Sequence, residues 1–151
     1  MAIVKADSKQ VLFICTANYY RSRFAEAMFN YYALKRKLKW TAVSRGLATY
    51  LVNEDLSRCT AHALHERGID LSHTSQTASQ LTEVDLESSD IIIALHEKEH
   101  RPLMDHLFPF WVDKVRYWDV PDMDKISPEE ALPMVEALTL HLLDSVAHYD
   151  N

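Results

Sequence analysis

The chain has 151 residues, of which 48% are hydrophobic and 25% charged, and a formal net charge of −6. That length supports one domain, residues 1–151, whose core needs no disulfide or metal staple, and the composition is that of an ordinary soluble globular protein. The acidic balance argues against a general nucleic-acid binder or an anionic-membrane binder, which need a basic footprint, and no apolar run reaches membrane-spanning length.

Taken in chain order, Met1 to Gln10 lacks the continuous apolar segment of a secretion signal, so a cytoplasmic location is expected. Val11 to Cys15 is a short apolar run that reads as a buried strand. From Arg21 to about Leu38 the period turns helical. Phe24, Ala27, Met28, Tyr31, Leu34 and Leu38 share a stripe, with Lys35, Arg36 and Lys37 at the end the helix dipole favours. Trp40 to Ser44 reads as a second strand, and Asp55 to Arg67 as a second helix stopped by Gly68. A helical turn near Glu83 to Ser88 precedes a strand over Asp90 to His96. Glu97 to Leu107 has a helical pattern in which Pro102 is expected to cause a break or bend, and Val115 to Trp118 reads as a fourth, short strand. Ser127-Pro-Glu-Glu130 predicts a capping box at the start of the last helix. Leu132, Val135, Leu138, Leu142 and Val146 line its buried face, and Pro133 is expected to bend its first turn. The alternation of strand and helix predicts a three-layer α/β fold: a four-stranded parallel sheet with helices on both faces. Ligands bind at the carboxyl ends of such strands, and Cys15 ends the first one.

The segment Cys15-Thr-Ala-Asn-Tyr-Tyr-Arg21-Ser22 sits between that strand and the first helix. A nucleophilic cysteine must be a thiolate near neutral pH, and a helix N-terminus and a nearby cation both lower a thiol pKa. A curled loop aims the N–H groups of Thr16, Ala17, Asn18, Tyr19, Tyr20 and Arg21 at one anion. Arg21 adds a planar fork that matches two phosphate oxygens, and Ser22 is placed to donate to the thiolate. The competing explanation is a buried, inert Cys15 with a solvated Arg21. The strand before and the helix after favour the chemical one.

This segment resembles the phosphate loop of the low-molecular-weight protein tyrosine phosphatases, and the similarity runs along the whole chain. Val11 to Cys15 resembles the family's first strand and nucleophile, and Asn18, Arg21 and Ser22 match its loop. Ser44-Arg-Gly46 resembles the end of its second strand, which implies that Tyr50 stands where the family has an aromatic wall of the substrate cleft. Asp90 to Leu95 resembles its third strand, and Val120-Pro-Asp122 the approach to its general acid. The resemblance implies a flavodoxin-like strand order 2-1-3-4. It also implies a phosphatase working through a phosphocysteine on a phosphorylated protein or small aryl phosphate, without a cofactor. Three positions depart from the pattern: Ala17 where Gly is usual, Tyr20 where many members carry a second cysteine, and Met123 where Pro is usual. An ordinary φ is expected at Ala17, since alanine in the left-handed region costs about 1–2 kcal/mol.

Three acids follow the last strand, Asp119, Asp122 and Asp124. Asp122 is preferred as the acid that protonates the leaving group because Val-Pro precedes it, with the other two as alternatives. Tyr19, Tyr20 and Tyr50 are candidates for an aromatic slot. His96-Glu-Lys-Glu-His100 matches a zinc-protease pattern, but His96 directly follows a strand and Pro102 shortens the helix, so a polar helix start is expected and no metal site. Two cysteines, Cys15 and Cys59, in a non-secreted chain are expected to be free thiols. Three other functions stay open: an arsenate-reductase-like enzyme, for which only Cys59 remains as a relay thiol, a phosphocysteine carrier, and a phosphate-binding pseudophosphatase. Nothing in the sequence fixes the natural substrate or the oligomeric state.

Overall fold

The computed structural model describes residues 8–149. The opening residues, on which the reading of secretion rests, lie outside the described residues. Four strands, β1 (Lys9–Cys15), β2 (Trp40–Gly46), β3 (Ile91–Ala94) and β4 (Arg116–Tyr117), form one parallel sheet in the order β2-β1-β3-β4. The alternation of β1 builds both layers of core. Val11, Phe13 and Cys15 face one side, under α1 (Arg21–Lys35), α2 (Arg58–Glu66) and α5 (Pro128–Tyr149). Leu12 and Ile14 face the other, with Leu86 of α3 (Glu83–Glu87) and Met104 of α4 (Glu97–Leu107). The parallel fold, its order and its helices on both faces are as the sequence predicts.

Helix ends differ from the sequence reading where a cap decides. The first helix stops at Lys35 and not near Leu38, because Lys37 takes φ +59 and the N–H groups of Lys37 and Leu38 close back on the carbonyls of Leu34 and Ala33. Leu34 lies off the buried stripe and is 71% exposed. In its place the whole first half of α1, Arg21 to Phe29, is buried, so this helix is an interior element with polar residues inside. The second helix begins at Arg58 and not at Asp55, since the Ser57 hydroxyl accepts from the N–H groups of Cys59 and Thr60. It ends at Glu66 with Arg67 as C-cap, followed by Gly68, whose φ of +70 suits glycine. The expected capping box at Ser127 is absent: its hydroxyl approaches the Glu130 carboxylate at 3.4 Å, while the Glu130 N–H donates to the Ser127 carbonyl. Pro102 and Pro133 do not break their helices, which run through them.

β1 lies between β2 and β3, so the chain leaves it in opposite directions and a crevice opens between the carboxyl ends of β1 and β3. The phosphate-loop candidate and the start of α4 both border it. Gly46 closes the adjoining end of β2 against the loop: a Cβ there would lie 2.9 Å from the Asn18 nitrogen, 2.9 Å from the Thr16 oxygen and 2.7 Å from Thr49 Cγ2. Gly46→Ala is therefore expected to displace the loop backbone, lowering stability by about 1–3 kcal/mol in denaturant titrations and reducing turnover together with it.

Candidate active site

The loop from Cys15 to Tyr20 is held from outside by its carbonyls. Those of Cys15 and Thr16 accept from the N–H groups of Leu47 and Ala48, and that of Tyr19 from Ser57. The Asn18 carbonyl accepts from Arg23 Nη1 and the Tyr20 carbonyl from the Thr60 hydroxyl. Because a peptide's N–H points opposite to its C=O, the amides turn inward. Among the described residues none accepts a hydrogen bond from the N–H groups of residues 16–20. The turn is made at Asn18, whose φ is +56, while Ala17 keeps an ordinary negative φ. Helix α1 then starts with Tyr20 as N-cap, no side-chain cap and no acidic residue in its first turn. An uncapped helix start and a ring of inward amides are complementary to an anion.

Cys15 is buried at the end of β1, and its Sγ lies 2.8 Å from the Ser22 hydroxyl. Asn18 holds the same hydroxyl. Its amide nitrogen, which only donates, reaches Ser22 Oγ at 3.0 Å and Ser44 Oγ at 2.9 Å. Ser22 thus accepts from Asn18, and its own hydrogen is available to a thiolate, which can only accept. Ser44 in turn donates to Glu26 Oε1 at 2.7 Å. The side chains of Asn18 and Ser22 do not line the cavity; they brace the loop and the sulfur from behind.

Arg21 is 2% exposed. Nη1 donates to Glu99 Oε1 at 3.0 Å and to the Val120 carbonyl at 2.8 Å, and Nη2 donates to Glu99 Oε2 at 2.8 Å. A guanidinium has five N–H groups. The two left over, on Nε and Nη2, lie along one edge of the plane, and Nε has no partner among the described residues. One fork is fixed by Glu99 and the other remains to bind.

Glu99 was not among the residues singled out as functional in the sequence, where it belonged to a polar helix start. It also accepts from the Thr16 hydroxyl, and His100 Nε2 lies 3.2 Å away. The His96 N–H donates to His100 Nδ1, which places the His100 proton on Nε2. Burial lowers the His100 pKa, so the ring is neutral. Burial also opposes the Glu99 charge, but the hydrogen bonds from His100 and Arg21 and the charge of Arg21 outweigh it and hold the carboxyl far below the usual range. A depressed carboxyl stabilises the fold above its unfolded pKa, so this pair persists through neutral pH. His96 is the N-cap of α4, with Nε2 3.3 Å from Asp119, so the two histidines are not on one helical face.

A cavity of about 240 Å³ opens over the loop. Tyr19, Tyr20, Leu51, Val52, Asp122 and Met123 contribute to its walls. Of the three acids only Asp122 lines it, with Oδ2 3.5 Å from Arg21 Nη2; Asp119 is 91% exposed. Tyr50 is a correction: it is 83% exposed and does not line the cavity, because the short turn Thr49–Leu51 turns it outward and brings Leu51 and Val52 in. Tyr20 is buried, and burial pushes its ionisation up to about 12, so it stands in the wall as a neutral phenol. Cys15 and Cys59 are both free; Cys59 is exposed on α2 and does not line the cavity.

The profile of the family described as "Low molecular weight phosphotyrosine protein phosphatase" matches residues 10–148. The chain belongs to this family. It is 33% identical over 105 residues to the protein-arginine-phosphatase of Bacillus subtilis, a match covering 70% of this chain and 67% of that one. It is 30% identical over 103 residues to the mouse low molecular weight phosphotyrosine protein phosphatase, covering 67% of this chain and 63% of the relative. Among solved structures, YfkJ from Bacillus subtilis superposes with a TM-score of 0.81 at 26% identity, covering 96% of this chain and 98% of that one. The low molecular weight protein tyrosine phosphatase from T. tengcongensis gives 0.78 at 26% identity, covering 91% and 99%. The chain is thus a member of a family of phosphatases, and among the described residues no helix is long and apolar enough to cross a membrane.

Glu99→Gln should release Arg21. An amide offers one acceptor oxygen and turns its own donors toward the guanidinium. We expect a loss of stability of about 3 kcal/mol in thermal unfolding, typical for one lost partner of a buried pair, and at least about a tenfold fall in kcat/KM. Unchanged values of both would mean that Val120 alone orients Arg21.

Proposed function

We propose that this chain acts as a single phosphatase domain that hydrolyses aryl phosphates, phosphotyrosine of proteins foremost, through a phosphocysteine at Cys15. The observation that carries the reading is the convergence of the unpaired amides of residues 16–20, the free edge of Arg21 and the Cys15 sulfur on one cavity. The phosphoryl oxygens are held by the amides and by the Nε/Nη2 fork, so the phosphorus sits above the sulfur. The Cys15 thiolate attacks phosphorus, the P–O bond to the leaving group breaks, and Asp122 gives its proton to the departing oxygen. Asp122 then takes a proton from a water that attacks the phosphocysteine, the P–S bond breaks, and inorganic phosphate leaves with the thiolate restored. Ser22 donates to the sulfur whenever it carries charge. The negative charge stays in one place throughout, where amides and Arg21 are already aimed at it.

The walls of the cavity select the substrate class. Tyr19, Leu51, Val52 and Met123 present apolar surface beside the acid, which suits a flat aryl group better than a guanidinium. The Bacillus relative acts on phosphoarginine, so a phosphoarginine peptide is the comparison substrate.

The role of Asp122 is tested by the leaving group. A tyrosine phenoxide needs a proton as it departs, whereas a nitrophenoxide does not. General acid catalysis is typically worth about 10²–10⁴-fold, so Asp122→Ala should slow single-turnover phosphorylation of the enzyme by phosphotyrosine peptide far more than by nitrophenyl phosphate. Equal losses with both would remove Asp122 from this role, and a selective loss in Asp119→Ala or Asp124→Ala would move it.

A further inference from the structure

A second arginine, Arg23, stands in the first turn of α1 and is 1% exposed. The reaction written above makes no use of it. Its Nη1 donates to the carbonyls of Asn18 at 3.2 Å and Asp55 at 2.6 Å, its Nη2 to the carbonyl of Ser75, and its Nε to the Thr74 hydroxyl at 2.7 Å. These acceptors belong to the phosphate loop, the connection from β2 to α2, and the connection from α2 to α3. Its ion-pair partner, Glu26 Oε1, is 3.9 Å away and is shared with the Ser44 and Thr74 hydroxyls.

Burying a guanidinium is costly, and burial draws the Arg23 pKa down. What the cost secures is visible at Asn18. That residue makes the positive-φ turn which aims the next amides inward. Its side chain is fixed by Ser22, Ser44 and the Ser79 N–H, and its carbonyl by Arg23. Arg23 also ties the loop to the stretch that follows the Leu51–Val52 wall.

We propose that Arg23 is a positioning residue of this site: it holds Asn18 and the phosphate loop in the anion-binding form. The proposal rests on the phosphatase reading of the site. Turnover of nitrophenyl phosphate by the wild-type chain is therefore checked first; its absence overturns that reading and this inference with it.

The test compares wild type, Arg23→Lys and Arg23→Gln, each as the full chain, and reads the vanadate affinity by calorimetry together with kcat and KM for nitrophenyl phosphate. Arg23→Lys keeps the charge but offers one ammonium where the guanidinium spans three loops, so it should weaken vanadate binding about tenfold. Arg23→Gln should weaken it at least as much. If Arg23→Gln fails to fold, Arg23→Lys decides alone. Wild-type turnover combined with a wild-type vanadate affinity in Arg23→Lys, whatever its melting temperature, would leave Arg23 a structural brace and overturn the inference.

Discussion

Backbone amides pointed at one place repel one another, and a loop adopts that arrangement only if its carbonyls are satisfied somewhere else. Here they are satisfied by parts of the chain far apart in sequence: Leu47 and Ala48 after β2, Ser57 and Thr60 at the start of α2, and Arg23 on α1. The loop is therefore as rigid as the packing of those elements, and the close approach of Gly46 is part of the same constraint. Much of the molecule's architecture near the sheet's carboxyl edge follows from keeping these few carbonyls engaged.

The two arginines on the first turn of α1 answer different needs. Arg21 spends three of its N–H groups on Glu99 and Val120, which leaves a single fork with one orientation. A fork already oriented loses little freedom on meeting a phosphate, and preorganisation of this kind favours catalysis over mere binding. Glu99 in turn is kept ionised by the hydrogen bonds from the neutral His100 and from Arg21. The carboxylate that fixes the arginine and the one proposed to move protons, Asp122, are distinct residues, both beside Nη2 of the same guanidinium.

The parallel sheet and the strand-loop-helix junction at Cys15 are legible because each rests on local signals, apolar runs and a change of period, while the strand order comes with the family resemblance. The braces are not. Glu99 looks like part of a solvated helix start, since nothing in its neighbourhood announces that α4 begins beside the Cys15 loop; only the parallel pairing of β1 with β3 puts it there. Arg23 carries no local sign of burial either, because its partners come from three loops. Tyr50 shows the opposite error. A position inferred from a family pattern was moved outward by one short turn, and its aliphatic neighbours took the wall. Leu34 differs for a related reason: a periodic stripe presumes a helix lying on a surface, whereas the first half of α1 is interior.

The central claim is that phosphate passes through the sulfur of Cys15. Rapid acid quench of the wild-type chain with an aryl phosphate, followed by peptide mass spectrometry, tests it most directly. The account predicts a transient gain of one phosphoryl group on the peptide containing Cys15, absent in Cys15→Ser although that variant still binds vanadate. Steady turnover with no phosphoryl group on that peptide, or turnover retained in Cys15→Ser, would contradict it.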